Sequence, residues 1–212
     1  MIKAVSFDLG GTILNLGNHS LIGELADAIG VEKKLVSRII KKHFMTKKMN
    51  LDEAAQMISA ELRIDEQDLI KDFILHYSYD IVLYDDVDRT LSVLKQRGYI
   101  LIALTNHYYI DGVNEIMLPQ YFDQCFYSYC IGSAKPNNEV FSFVEKEIKI
   151  PGKEILHVGD SLISDIVGPQ RAGWHTALIV REIEKNFLNV ETLYSKADYV
   201  INCLDELLYI LK

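Results

Sequence analysis

Apolar and polar positions along the chain follow three successive regimes. At the start, Ile2, Ala4, Val5 and Phe7 form a mostly apolar run of strand length, ended by Asp8 and then Gly10-Gly11. An apolar run without alternation predicts a central strand buried on both faces, as in a parallel sheet. From Leu21 to Tyr77 the period becomes helical, with apolar residues at i, i+3 and i+4. Leu21, Ile22, Leu25, Ala28 and Ile29 mark one helix, and Leu35, Val36, Ile39, Ile40 and Phe44 a second. A third, capped by Asn50 or Asp52, carries Leu51, Ala54, Ala55, Ile58 and Leu62, and Asp65 opens a fourth. Four short amphipathic helices with no strand between them predict a small bundle.

From Leu83 onward strands and helices alternate. A helix beginning at Asp85 or Asp86 leads to the buried strand Ile100 to Leu104, which stops at Thr105-Asn106. A further helix through Pro119, a short strand from Cys125 to Tyr127 and a helix from Asn138 to Glu147 follow. The run Ile155 to Val158 ends in Gly159-Asp160, and Pro169 places a helix start at Gly168-Pro169. Strands at Thr176–Val180 and Tyr199–Ile201 and a helix at Asp205–Leu211 close the chain. This alternation predicts an α/β fold, a Rossmann-like parallel sheet core with an inserted four-helix-bundle cap. The expected core spans residues 1–14 and 82–212, and the helical insertion residues 15–81.

Composition narrows the function classes. The 212 residues carry a net charge of −8, which argues against a broad nucleic-acid footprint. No apolar run approaches the ~18 residues of a membrane span, so no membrane association is expected. The first strand begins at Ile2, leaving no room for a signal peptide, and Cys125, Cys130 and Cys203 read as free thiols. The expected compartment is the cytoplasm, and the expected assembly a monomer or homodimer. The lysines at 41, 42, 47 and 48 read as a solvated helix face.

The polar residues gather at strand ends. Asp8, then Thr105-Asn106, then Asp160 with Asp165 each follow an apolar strand, and Lys135 lies on a loop between the last two. In a parallel sheet those ends share one edge. Carboxylates brought together repel unless a hard cation lies between them, and an oxygen-only set favours Mg²⁺ over zinc. A hydroxyl, an amide and an ammonium beside it form a receptor for phosphate oxygens.

These motifs resemble those of the haloacid dehalogenase-like (HAD) superfamily, in the subgroup with a helical cap after the first motif. Asp8-Leu9-Gly10-Gly11-Thr12 is similar to the nucleophile motif, Thr105-Asn106 to the second, Lys135-Pro136 to the third, and Gly159-Asp160-Ser161 with Asp165 to the fourth. The resemblance implies a Mg²⁺-dependent phosphohydrolase acting on a small phosphorylated metabolite through an aspartyl-phosphate. It implies Asp8 as nucleophile, with Lys135 neutralising charge on it and on the phosphate. Asp8, the Gly10 carbonyl, Asp160 and Asp165 would hold the metal. Leu9 and Gly10 through their backbone, with Thr105, Asn106 and Lys135, would hold phosphoryl oxygens.

One position departs from the pattern. The phosphatases carry a second aspartate two residues after the nucleophile, where this chain has Gly10. General acid–base catalysis is worth about 10²–10⁴-fold, so its loss slows a reaction without removing nucleophile or phosphate site. His107 and His19 are candidate substitutes, and good leaving groups need less help. Dehalogenation, C–P cleavage and a weakly active phosphate-binding module are the alternative readings.

Overall fold

The computed structural model describes residues 1–15, 20–77, 82–111, 118, 120–181 and 196–212. The chain opens with β1 (Ala4–Phe7), every residue of which is buried, and continues into a short strand, β2 (Leu14–Asn15). Helices α1 (Leu21–Ala28) and α2 (Lys33–His43) follow, then β3 (Lys48–Met49), α3 (Leu51–Leu62) and α4 (Gln67–His76). A short β4 (Val82–Leu83) precedes α5 (Val87–Gln96), β5 (Ile100–Thr105) and β6 (Tyr109–Ile110). Then come β7 (Gln124–Tyr127), the single turn α6 (Ser128–Ile131), α7 (Asn138–Ile148) and β8 (Ile155–Gly159). The chain closes with α8 (Gly168–Arg171), β9 (His175–Ile179), β10 (Tyr199–Ile201) and α9 (Leu207–Ile210).

Six strands form one sheet in the order β10-β9-β8-β1-β5-β7. All five pairings are parallel, with β1 at the centre between β5 and β8. This is the α/β Rossmann-like sheet that the strand pattern predicts. Because strand side chains alternate, each central strand feeds two cores. Val5, Phe7, Leu101, Ala103, Leu156 and Val158 pack on the α5 and α9 side. Ala4, Ile102, Leu104 and Ile155 pack with Val140, Phe141 and Val144 of α7 and with Trp174 on the other.

Helices α1 to α4 bury a third apolar cluster built from Leu25, Val36, Ile40, Ile58, Ile70 and Ile74, among others. The chain leaves for these helices and returns through a two-stranded antiparallel ribbon, pairing Leu14 with Leu83 and Asn15 with Val82. A second ribbon pairs Lys48-Met49 with Tyr109-Ile110 in parallel, so Ile110 joins the helical cluster. Neither ribbon carries enough alternation to be read from the sequence. Helix α3 starts at the expected Asn50, whose side chain accepts from the Glu53 N–H at 2.8 Å while Glu53 reaches back. That capping box satisfies two of the helix's orphan donors.

Local expectations change in three places. The helix expected at Gly168-Pro169 starts earlier: a π-helical turn covers Leu162–Val167, with Ser161 as its cap. Pro169 then falls at the start of α8, where its missing N–H costs nothing. The fourth helix begins at Gln67 rather than Asp65, and the closing segment is a 3₁₀ turn at Leu204–Glu206 before α9. The helix expected between Asn106 and Pro119 lies mostly outside the described residues.

The α7 core supplies a stability test. Phe141 is fully buried, and its ring meets the chain's one tryptophan, Trp174, edge-on at 5.2 Å. Phe141→Ala should cost about 3–5 kcal/mol. In urea titration followed by Trp174 fluorescence, the midpoint should fall while the slope stays unchanged.

Candidate active site

The site begins where β1 ends. Asp8 continues the strand by donating its N–H to the Val158 carbonyl at 2.9 Å. The chain then closes a tight turn: the Leu9 carbonyl accepts from the N–H groups of Thr12, Ile13 and Leu14 at 3.3, 2.9 and 2.8 Å. None of the turn's backbone hydrogen bonds uses the N–H groups of Leu9 or Gly10. The demanding glycine is Gly11, with φ +73°. A Cβ there would collide with the Asp160 carboxylate. Gly11 is thus required both by backbone conformation and by the approach of the fourth-motif acid.

A buried ion pair holds this turn from below. Arg181, just past β9, places Nη1 2.6 Å from Asp86 Oδ2 and donates Nη2 to the Thr12 carbonyl at 2.5 Å. Its guanidinium lies 4.0 Å from the Tyr84 ring centroid, and Asp86 also accepts the Leu204 N–H at 2.7 Å. Asp86 therefore serves this junction and makes no cap bond to α5.

Lys135 is the centre of the site and is 4% exposed. Its ammonium donates to Asp8 Oδ1 at 2.8 Å, Asp165 Oδ1 at 2.7 Å and the Leu104 carbonyl at 2.7 Å. Three N–H donors meet three acceptors, which satisfies the buried group. Asn106 fixes the lysine backbone from both sides: its Nδ2 donates to the Lys135 carbonyl and its Oδ1 accepts the Lys135 N–H, each at 2.8 Å. Most of the Asn106 amide is therefore spent on positioning Lys135.

Asp165 has further partners. Its Oδ2 accepts the Ser161 N–H at 2.9 Å, and its Oδ1 also meets His157 Nε2 at 3.1 Å. His157 Nδ1 lies 2.9 Å from Ser6 Oγ. Because a carboxylate only accepts, Nε2 carries the proton and Nδ1 accepts from the serine hydroxyl. Ser6 and His157 are register partners on adjacent strands, and Ser6 lies two residues before Asp8, on the same face. Sequence reasoning gave no role to either residue, nor to Arg181 or to Asp86 beyond a helix start, and named Ser161 only as part of the fourth motif. A polar side chain inside each of two apolar strands was the available signal for Ser6 and His157.

The charges divide unequally. Burial pushes the Asp8 carboxyl up to about 6, with Asp165 and Asp160 adding to the rise and Lys135 opposing it. Burial also opposes ionisation of Asp165, but Lys135 and His157 hold it well below the usual carboxylate range. Desolvation and the Asp165 charge push Asp160 up. Burial would lower the Lys135 ammonium, but Asp165 and Asp8 outweigh it and raise it. His157 is pushed down by burial and by Lys135, so it stands neutral. One carboxylate oxygen from each of Asp8, Asp160 and Asp165 lies within 4.8 Å of the others. Three carboxylates against one ammonium leave excess negative charge, and the all-oxygen set suits a hard divalent cation.

Asp8, Lys135 and Asp165 face a cavity of about 360 Å³ lined also by Leu9, Gly10, Thr105, Asn106 and His107. The structure thus gathers every site residue expected from the sequence: Asp8, Lys135 and Asp165 in direct contact, Asp160 beside them, the rest on the cavity wall. His19 lies outside the described residues. The lysines at 41, 42, 47 and 48 do not line the cavity.

A family model for haloacid dehalogenase-like hydrolases matches residues 2–173. The chain is 26% identical to a glyceraldehyde 3-phosphate phosphatase of Methanocaldococcus jannaschii, covering 100% of this chain and 98% of that one. Among solved structures, a 2-haloacid dehalogenase from Pseudomonas syringae superposes with a TM-score of 0.68 at 20% identity, covering 100% of this chain and 98% of the other. A HAD-family enzyme of Bacteroides thetaiotaomicron, in complex with magnesium and inorganic phosphate, superposes with a TM-score of 0.64 at 20% identity. That likeness covers 88% of this chain and 100% of the other.

The Lys135 arrangement makes a pH-dependent prediction. Lys135→Met leaves Asp8 and Asp165 buried without their cation, a loss of about 3–5 kcal/mol. Both carboxyls would then titrate above their unfolded values, so the folded state holds more protons and loses stability as pH rises. Scanning fluorimetry in EDTA should show the variant's Tm deficit larger at pH 7.5 than at pH 5.

Proposed function

The chain belongs to the haloacid dehalogenase-like hydrolases, and we propose that it is a Mg²⁺-dependent phosphohydrolase of a small phosphorylated metabolite. The observation that carries this reading is the carboxylate trio Asp8, Asp160 and Asp165, gathered within 4.8 Å of one another, with the first and last paired to the Lys135 ammonium. Full-length similarity to a phosphatase supports it. The second reading, dehalogenation, has a fold neighbour but gives no use for Asp160.

The donor set fits a hard cation, with Asp8, Asp160 and the Gly10 carbonyl as ligands and Asp165 as ligand or outer partner. A bound Mg²⁺ would stabilise charge on the phosphoryl oxygens and keep Asp8 ionised against the burial that raises it. Asp8 attacks phosphorus, the bond from phosphorus to the ester oxygen breaks, and the alcohol leaves with a proton from solvent. Water then splits the aspartyl-phosphate, restoring Asp8 and releasing phosphate. Lys135 offsets charge on Asp8 and on the transferring group. Thr105 and the backbone N–H groups of Leu9 and Gly10 hold phosphoryl oxygens, with Asn106 adding the part of its amide that Lys135 leaves. The helical segment 15–81 acts as a cap that covers the cavity and limits the entry of bulk solvent without barring the water that the reaction uses.

Phosphate release from a panel of phosphomonoesters should require Mg²⁺ and vanish in Asp8→Asn or in EDTA. Halide release from 2-haloacids, with no phosphate release, would overturn the reading. Gly10 has a test of its own. It lines the cavity and is absent from the glycines with positive φ, so an aspartate needs no left-handed backbone there. Gly10→Asp should raise kcat on alkyl phosphates about tenfold or more and leave p-nitrophenyl phosphate, a good leaving group, little changed. No gain in a folded, Mg²⁺-binding variant means that another group already moves the proton.

A further inference from the structure

The cavity is chemically lopsided. Its charged lining residues, Asp8, Lys135 and Asp165, all sit at one end and are bound to one another. Away from them the described lining is mostly apolar, with Leu14, Leu21, Ile22, Met45, Tyr77 and Tyr108, and its hydroxyl groups include those of Ser161 and Ser164. Leu14, Leu21 and Tyr77 are buried, at 1%, 3% and 7% exposure. Ser20 also reaches the cavity, but its hydroxyl accepts the Gly23 N–H at 3.0 Å to cap α1. The one described wall residue besides Lys135 that could become cationic is His107, which burial pushes down to about 4, so it carries no charge near neutrality.

Positive charge on the helical segment is directed elsewhere. Lys34, Arg38, Lys41 and Lys42 line a separate surface groove along α2, and Lys42 pairs with Glu61 at 2.8 Å. Lys48 lies over the Tyr109 ring at 4.8 Å. By sequence, the stretches 16–19 and 78–81 contain no lysine or arginine, and the latter carries Asp80.

A second anionic group on a substrate would therefore enter a mostly apolar wall that holds no free cation among the described residues. Burying an unpaired charge is among the costliest acts in a protein interior. Apolar groups gain from the same wall by leaving water. We propose that this site selects phosphomonoesters whose organic group is uncharged and presents an apolar surface, and rejects those carrying a carboxylate or a second phosphate. The proposal rests on the phosphohydrolase reading and adds the substrate class. Selection is by exclusion: the wall's few hydroxyls and its neutral imidazole offer an anion no countercharge to offset the loss of its water.

The test compares two phosphomonoesters of similar size, isobutyl phosphate and 2-phosphoglycolate, as substrates of the wild-type protein with Mg²⁺. The expected kcat/KM ratio favours isobutyl phosphate by about 10²-fold or more. Equal or better turnover of phosphoglycolate overturns the proposal and leaves the phosphohydrolase reading standing. Turnover of neither above the Asp8→Asn background removes both. Met45→Lys puts an ammonium on an unbranched stem of similar length into the wall. In that variant the ratio should move toward phosphoglycolate by tenfold or more, and an unchanged ratio in a folded variant counts against the proposal.

Discussion

The Lys135 ammonium, almost wholly removed from water, is the interaction on which the centre of this protein depends. An ammonium has three protons to place, and burial makes each unplaced one expensive. Here they go to Asp8 at the end of β1, to the Leu104 carbonyl in β5 and to Asp165 beyond β8. Three chain segments from across the sheet are thereby tied to one nitrogen. The Asn106 amide holds the lysine's own backbone in place, so the ammonium has little freedom to choose other partners.

From that arrangement follows a division of labour between two carboxylates bound to the same cation. Asp165 accepts from Lys135, His157 and the Ser161 N–H, and is held firmly ionised. Asp8 has one side-chain hydrogen-bond partner among the described residues, Lys135, and burial leaves it closer to neutrality. Two like groups in one site with their titrations pushed apart mark distinct roles. In the proposed chemistry Asp165 supports the lysine, while Asp8 keeps an oxygen for phosphorus and metal. The neutral His157, locked between Ser6 and Asp165, supports Asp165 without adding charge.

Glycine at two neighbouring positions serves different ends. Gly11 has a left-handed backbone and no room for a Cβ beside Asp160, so its identity is dictated by geometry. Gly10 lines the cavity with no such backbone demand, and its identity is a matter of chemistry. One end of the cavity is thus strongly polar and the rest of its wall mostly apolar, which in the proposed chemistry separates the recognition of a phosphoryl group from that of the organic group it is attached to.

Much of the fold was legible along the chain. Unalternating apolar runs such as Ala4 to Phe7 and Ile100 to Leu104 mark buried parallel strands, and the switch to helical spacing marks α1 to α4. The polar residues ending those strands, Asp8, Thr105 and Asp160, could be read as converging, because a parallel sheet carries all such ends on one edge. The sequence by itself thus determined the six strands of the main sheet, the helical insertion and the edge where the polar groups meet. Only the tertiary structure decided how those groups pair. Ser6 and His157 are 151 positions apart, and Arg181 reaches back 169 positions to the Thr12 carbonyl. Whether Asn106 spends its amide on a ligand or on Lys135, and whether the far wall is charged or apolar, also depend on which side chains meet across the fold. Periodicity reports the face a residue occupies; hydrogen bonding and desolvation depend on what stands opposite, and that is settled only when distant segments pack.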